Sequence, residues 1–156
     1  MTRRILVLSF LGLSVSCGLA KKAKIPTSLP ARKNTKFSIL VNVADDANQN
    51  SPIPADLVIV QDKKVSAEVA KLSAKDWFDR RAQITRDFTK KLQVVSWEWV
   101  PGQHVGPIDV DVAAKTVGAF LFANYLNGGV HRGYIDVHSP VVVTLGAEEF
   151  SIQPLK

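Results

Sequence analysis

The sequence predicts an all-β protein: a two-sheet antiparallel β-sandwich with a short helical insertion after the second strand. Three observations predict it. From Phe37 onward, about eight short apolar stretches recur, each closed by Gly, Pro, Asn or Asp. Several of them alternate apolar and polar residues, as strands do when one face meets a core and the other meets water. Between Val65 and Ile84 glycine and proline vanish, and apolar residues fall at helical spacing.

The elements follow in order. Residues 37–43 are rich in strand formers. Residues 44–54 break the pattern with Asp45, Asp46, Asn48, Gln49, Asn50, Ser51, Pro52 and Pro54, all turn formers. Residues 56–61 read as a buried second strand. Val65, Val69 and Leu72 mark a helix over about 65–72, and a second over about 74–83 starts from Ser73, an N-cap with Asp76 at the third position after it. Trp77 and Phe78 are expected to pack that helix onto a sheet. Residues 92–100 return to strand, with Trp97 and Trp99 on one face and Glu98 on the other. Pro101-Gly102 is a turn. Residues 108–112 alternate Ile108, Val110 and Val112 with Asp109 and Asp111. Residues 115–126 read as a longer strand and Asn127-Gly128-Gly129 as a hairpin turn. Strands over 133–138, 141–145 and 149–153 complete the set.

The chain starts differently. Arg3 and Arg4 precede a run, 5–16, of apolar, small or hydroxylated residues. That is the layout of a secretory signal peptide, and the run is shorter than the about 20 residues a spanning helix needs. It ends at Cys17, the one cysteine in the sequence. A lone cysteine forms no intramolecular disulfide, but at a cleavage point it can carry lipid. Leu13-Ser14-Val15-Ser16-Cys17 resembles a lipobox, with Ser14 where Leu is usual. The expected organisation is a signal peptide over 1–16, a lipid-bearing Cys17 with a flexible basic tether over 17–36, and the sandwich over 37–156.

Charge argues against nucleic acid as a partner. The net charge is +6 and the pI about 9.6. Arg3, Arg4, Lys21, Lys22, Lys24, Arg32, Lys33 and Lys36 all precede Phe37. Removing those eight cations leaves the body net acidic by two charges, without the basic stripe a nucleic-acid groove uses.

Little points to catalysis. His104, His131 and His138 have no close metal-ligand spacing, and a site from His131, His138 and Asp136 would have to be assembled in space. Asp109 and Asp111 fit a solvent-facing strand. Nucleophile elbows, phosphate loops and zinc-protease motifs are absent. Asp45, Asp46, Asn48 and Asn50 lack the glycine and closing glutamate of a calcium loop. The expectation is no enzyme, no metal and no cofactor beyond a lipid on Cys17. A binding role on Trp97 and Trp99 for a sugar or lipid is an alternative, as is service in another envelope machine.

The order of features resembles the outer-membrane lipoprotein of the bacterial type VI secretion system, the TssJ family. It runs from Cys17 and its basic tether through the loop with Asn50-Ser51-Pro52, the aromatic helical stretch Lys75-Asp76-Trp77-Phe78-Asp79, and the strand ending Val100-Pro101-Gly102, to the long apolar strand before the last hairpin. The resemblance implies a transthyretin-like sandwich, lipid-anchored at the periplasmic face of the outer membrane. It also implies docking onto the periplasmic region of TssM, a large inner-membrane component. The contact loop would be 44–54, with Asp45, Asp46, Asn48, Gln49 and Asn50 as polar contacts and Ile53 as an apolar anchor.

Overall fold

The computed structural model describes residues 35–155. The expected signal peptide, Cys17 and nearly all of the expected tether lie outside those residues. Thr35 and Lys36, expected in the tether, already belong to the first strand.

Eight strands and two helices follow one another: β1 (Thr35–Val43), β2 (Ile53–Val60), α1 (Lys63–Val69), α2 (Ala74–Asp87), β3 (Leu92–Trp99), β4 (His104–Val112), β5 (Gly118–Ala123), β6 (Arg132–Ile135), β7 (Val141–Leu145) and β8 (Phe150–Pro154). They form two four-stranded sheets, β4-β1-β7-β8 and β3-β2-β5-β6. The β-sandwich with helices after the second strand is therefore observed. One strand pair departs from the antiparallel expectation, because β1 and β7 run parallel. The cause is topological. The chain leaves β6 and re-enters at β7 from the end where β1 also begins, so both strands point the same way.

Two apolar cores hold the layers. Between the sheets, Ile39, Val41, Leu57, Ile59, Leu121, Val143 and Leu145 are fully buried. Behind the second sheet, the helices cover Val58, Val60, Phe120 and Phe122 with Val65, Val69, Trp77 and Ile84. β2 and β5 are thus buried on both faces, which is why they read as unbroken apolar runs.

Trp77 ties the helical layer down as expected. Its ring stacks on Phe122 at 5.2 Å, and its Nε1–H donates to Asp56 Oδ2 at 2.8 Å. Arg81 reaches the same oxygen at 3.3 Å. These donors compensate a carboxylate buried inside the protein, which would be costly alone. Ser73 and Asp76 form a complete capping box at the start of α2. The helix runs to Asp87, beyond its expected end, because Ile84 continues the apolar stripe.

Other boundaries differ as well. β2 starts at Ile53 despite Pro54. The last β2–β5 rung pairs Ala55 with Ala123, so the missing N–H of Pro54 lies just past the ladder. β5 is shorter than 115–126, since Thr116 N–H turns back to the Ala113 carbonyl at 2.8 Å. Asn127-Gly128-Gly129 is no tight hairpin turn but the middle of a longer connection, 124–131. Finally, Trp97 and Trp99 stack at 5.4 Å, with Trp99 buried and Trp97 packed against the same core. Trp99 is thus committed to the packing between the sheets, and Trp97 lies half-buried against it.

Candidate functional site: the loop end

β1, β3, β5 and β7 all finish at one end of the sandwich, where β2, β4, β6 and β8 begin. Four strand-to-strand connections meet there, 44–52, 100–103, 124–131 and 146–149, with the α1–α2 corner beside them, where Ala74 N–H donates to the Val130 carbonyl at 2.8 Å. Thr35 lies at the opposite end. The loops are knitted together by backbone bonds. Val43 N–H donates to the Gln103 carbonyl at 2.9 Å, Ala44 N–H to Leu145 at 2.9 Å, and Gly102 N–H to Ala44 at 3.2 Å.

Asn48 is the knot. It is buried, at 1% exposure. Its Nδ2 donates to the Pro52 carbonyl at 3.0 Å, and its Oδ1 accepts from Leu126 N–H at 2.7 Å. One side chain thereby fixes the first loop to the third. The backbone makes room by turning left-handed at Asn48, Gln49 and Asn50, with φ of 48°, 55° and 59°. Asparagine visits that region several-fold more often than other side chains, which suits two of the three positions.

The expected contact residues therefore divide. Asp45, Asp46, Gln49 and Asn50 are exposed at the loop end. Asp45 also lies over the 100–103 turn, where a Cβ at Gly102 would come within 2.9 Å of its Oδ1. Asn48 is corrected from a partner contact to an internal staple. Ile53 is corrected from an apolar partner anchor to a core residue, 0% exposed at the start of β2. Both corrections have the same cause: these side chains are consumed in holding the loop in place.

The exposed apolar groups come from residues the sequence reading passed over. Leu126 is 65% exposed, Val130 55% and Val100 46%. The first loop thus offers no exposed apolar anchor, whereas two of the other three, 100–103 and 124–131, do. Leu126 and Val130 flank Asn127-Gly128-Gly129, where the pattern predicts a strand end and a turn. Within the four loops the charge is one-sided, with Asp45, Asp46, Glu148 and Glu149 and no Lys or Arg, while Lys71 and Lys75 at the neighbouring helix corner pair with Glu68 and Asp79. Tyr125 supports the patch from beneath. Its hydroxyl donates to the Glu149 carbonyl at 3.1 Å, its ring stacks on His131 at 4.8 Å, and burial pushes its phenol far above the ordinary range.

Among the described residues no group of three or more His, Cys, Asp or Glu side chains could hold a metal ion. His131 sits in the loop end, whereas Asp136 and His138 lie in the connection between β6 and β7 at the other end, so the imagined trio is split. Asp109 lies on the outer face of β4, where Ser38 Oγ donates to it at 2.6 Å and Lys36 stands at 3.6 Å. A rigid surface with apolar groups and acids at its rim is suited to recognition.

No protein-family model matches this sequence, and no curated protein matches it. Solved structures do. The T6SS lipoprotein TssJ1 from Pseudomonas aeruginosa overlays with a TM-score of 0.64 at 18% identity, over 80% of this chain and 98% of that one. Serratia marcescens Lip, a membrane-bound component of the type VI secretion system, gives 0.63 at 15% identity, over 80% and 98%. The fold is that of the type VI secretion lipoproteins. A chain in the structure of the T6SS protein TssM C-terminal domain from EAEC also overlays, with a TM-score of 0.58 at 10% identity, over 77% of this chain and 98% of that one. The TssJ-like fold thus extends over nearly the whole described unit.

Proposed function

We infer that this chain is a non-enzymatic lipoprotein of a type VI secretion trans-envelope complex. In this reading lipid on Cys17 anchors it to the periplasmic face of the outer membrane. Its loop end docks onto the periplasmic region of a TssM-like inner-membrane component. The fold and the signal-peptide layout support the class of protein. One observation carries the docking role: exposed apolar residues and unopposed acids collect in loops at the end of β1 farthest from Thr35, where the tether attaches. The chain enters β1 at the end opposite these loops, which leaves the loop end free for a partner.

The test is co-purification from envelope membranes. Tagged wild type is expected to retain a large inner-membrane component, and the Asp45→Ala/Asp46→Ala/Leu126→Ala variant to lose most of it while melting normally. Equal capture by both proteins would refute the docking face. Fractionation of Cys17→Ser checks the anchor: release from the outer membrane is expected, and retention there would refute lipid attachment at this residue.

A further inference from the structure

We propose that the basic rim where the helical layer meets the tether end of the sandwich lies on an anionic phospholipid surface and orients the domain there. The proposal rests on the lipid-anchor reading above and goes beyond it: the lipid holds the chain, and the rim decides which way the domain faces. Charge is unevenly placed along the chain. Residues 62–91 hold nine cations and five acids, whereas the four loop-end connections hold four acids and no cation. A body that is net acidic thus concentrates its cations on one side.

Three connections gather part of that charge around the last residues of β2. Gln61 N–H donates to the Lys91 carbonyl at 2.9 Å, which joins the start of α1 to the turn before β3. Val117 N–H donates to the Val60 carbonyl at 2.8 Å, and Gln93 Nε2 to the Asp111 carbonyl at 3.1 Å, so 113–117 crosses the same end. Lys63, Lys64, Lys90 and Lys115 are exposed on these connections. None of the four forms an ion pair among the described residues. The acids within the rim are already engaged. Asp62 takes Lys91 Nζ at 3.2 Å and the Lys64 and Val65 N–H groups, and Asp87 accepts from Gln83 Nε2 at 2.7 Å. Asp109 and Asp111 lie on the outer face of β4, and Asp136 follows β6, two strands away from β2.

Position and side-chain chemistry select the occupant. The rim is at the end where the chain enters from Cys17, and 18 residue steps of chain reach at most about 60 Å. The four unpaired cations are all lysine, flexible point charges that suit a layer of mobile headgroups, whereas the fixed fork of arginine suits one bound anion. The nine residues of β1 set the loop end about 30 Å away, well beyond the screening length of about 8 Å. The rim is therefore drawn to the headgroups, and the acidic loop end is left facing away from them.

Vesicle binding by the chain 17–156 with Cys17→Ser reads the protein surface without its lipid. Phosphatidylcholine vesicles with about 30% phosphatidylglycerol, in about 0.1 M salt, should bind at least tenfold more tightly than phosphatidylcholine alone. Lys64→Gln/Lys90→Gln/Lys115→Gln removes one cation from each connection and should weaken that binding at least tenfold. Lys71→Gln/Lys75→Gln/Arg80→Gln removes the same charge from the rest of the helical layer and should stay within threefold. Both variants should melt as the parent does. A spin-labelled headgroup should broaden the parent's amides at 62–64, 89–91 and 114–116 and spare 45–50 and 126–130. Equal weakening in both variants, or none in either, would overturn the proposal, the second result leaving the tether's own cations as the whole attraction. Broadening at the loop end, or binding to soluble polyglutamate as tight as to the anionic vesicles, would overturn it too. The titration contains neither lipid on Cys17 nor a secretion component, so its failure leaves the anchor and docking readings to their own tests.

Discussion

The two ends of the sandwich solve different problems with the same strands. At the end where β1 begins, polar side chains close the connections. Asp62 caps α1 by accepting from Lys64 and Val65 N–H, at 2.9 and 3.1 Å, and Asp136 accepts from His138 N–H at 3.0 Å. At the loop end, the buried Asn48 closes the connections from inside, and apolar Leu126, Val130 and Val100 are left facing water. The contrast teaches that the loop end is rigid by construction while its surface remains unsatisfied. Loops that merely connect sheets have no need of both properties.

Substitutions that break the contrast should differ in size. Ile53→Ala removes a fully buried side chain that pins the first loop to the core, and should destabilise the domain by about 2–5 kcal/mol in chemical denaturation. Asn48→Ala strands Leu126 N–H and the Pro52 carbonyl. It should cost about 1–3 kcal/mol and speed hydrogen exchange across 44–52 and 124–131 together. If only the first loop responds, the staple between the two loops is refuted.

Acid sharpens the comparison from the other side. Asp62 is held below its ordinary carboxylate value of 3.8, first by the Val65 N–H and then by Lys91. Asp109 is held low first by the Ser38 hydroxyl and next by Lys36. A depressed folded value means stability that is complete above the unfolded value and lost as pH falls through the folded one. Below about pH 4 the first turn of α1 should therefore loosen, read as faster amide exchange at Lys64 and Val65, and Asp62→Ala should remove that pH dependence. Leu126→Ala should have the smallest effect on folding, within about 0.5 kcal/mol by thermal melting. The same change should still lower capture of the inner-membrane component severalfold. A large loss of stability with unchanged capture would make Leu126 a structural residue.

Much of this was legible in the sequence, for local reasons. The alternation of 108–112, the Ser73 capping box and the Trp77 packing each depend on residues close in the chain or on one face of one element. The parallel pairing of β1 with β7 joins segments about a hundred residues apart, which no period encodes. The loop end was legible as a place but not residue by residue. Asn48 has the composition of a solvated loop and is buried because Leu126, 78 positions later, meets it. Ile53 sits between two prolines and looked like an apolar partner anchor, yet it opens β2. Leu126 and Val130 had the opposite fate, since apolar residues beside glycines read as strand ends.

The central claim is that the loop end, and not the tether end, meets the partner. Site-specific photo-crosslinking in the envelope tests it most directly, with a benzophenone side chain placed at Leu126 in one strain and at Lys115 in another. The account predicts a crosslink to a large inner-membrane protein from position 126 and none from position 115. A crosslink from 115 with none from 126 would contradict it.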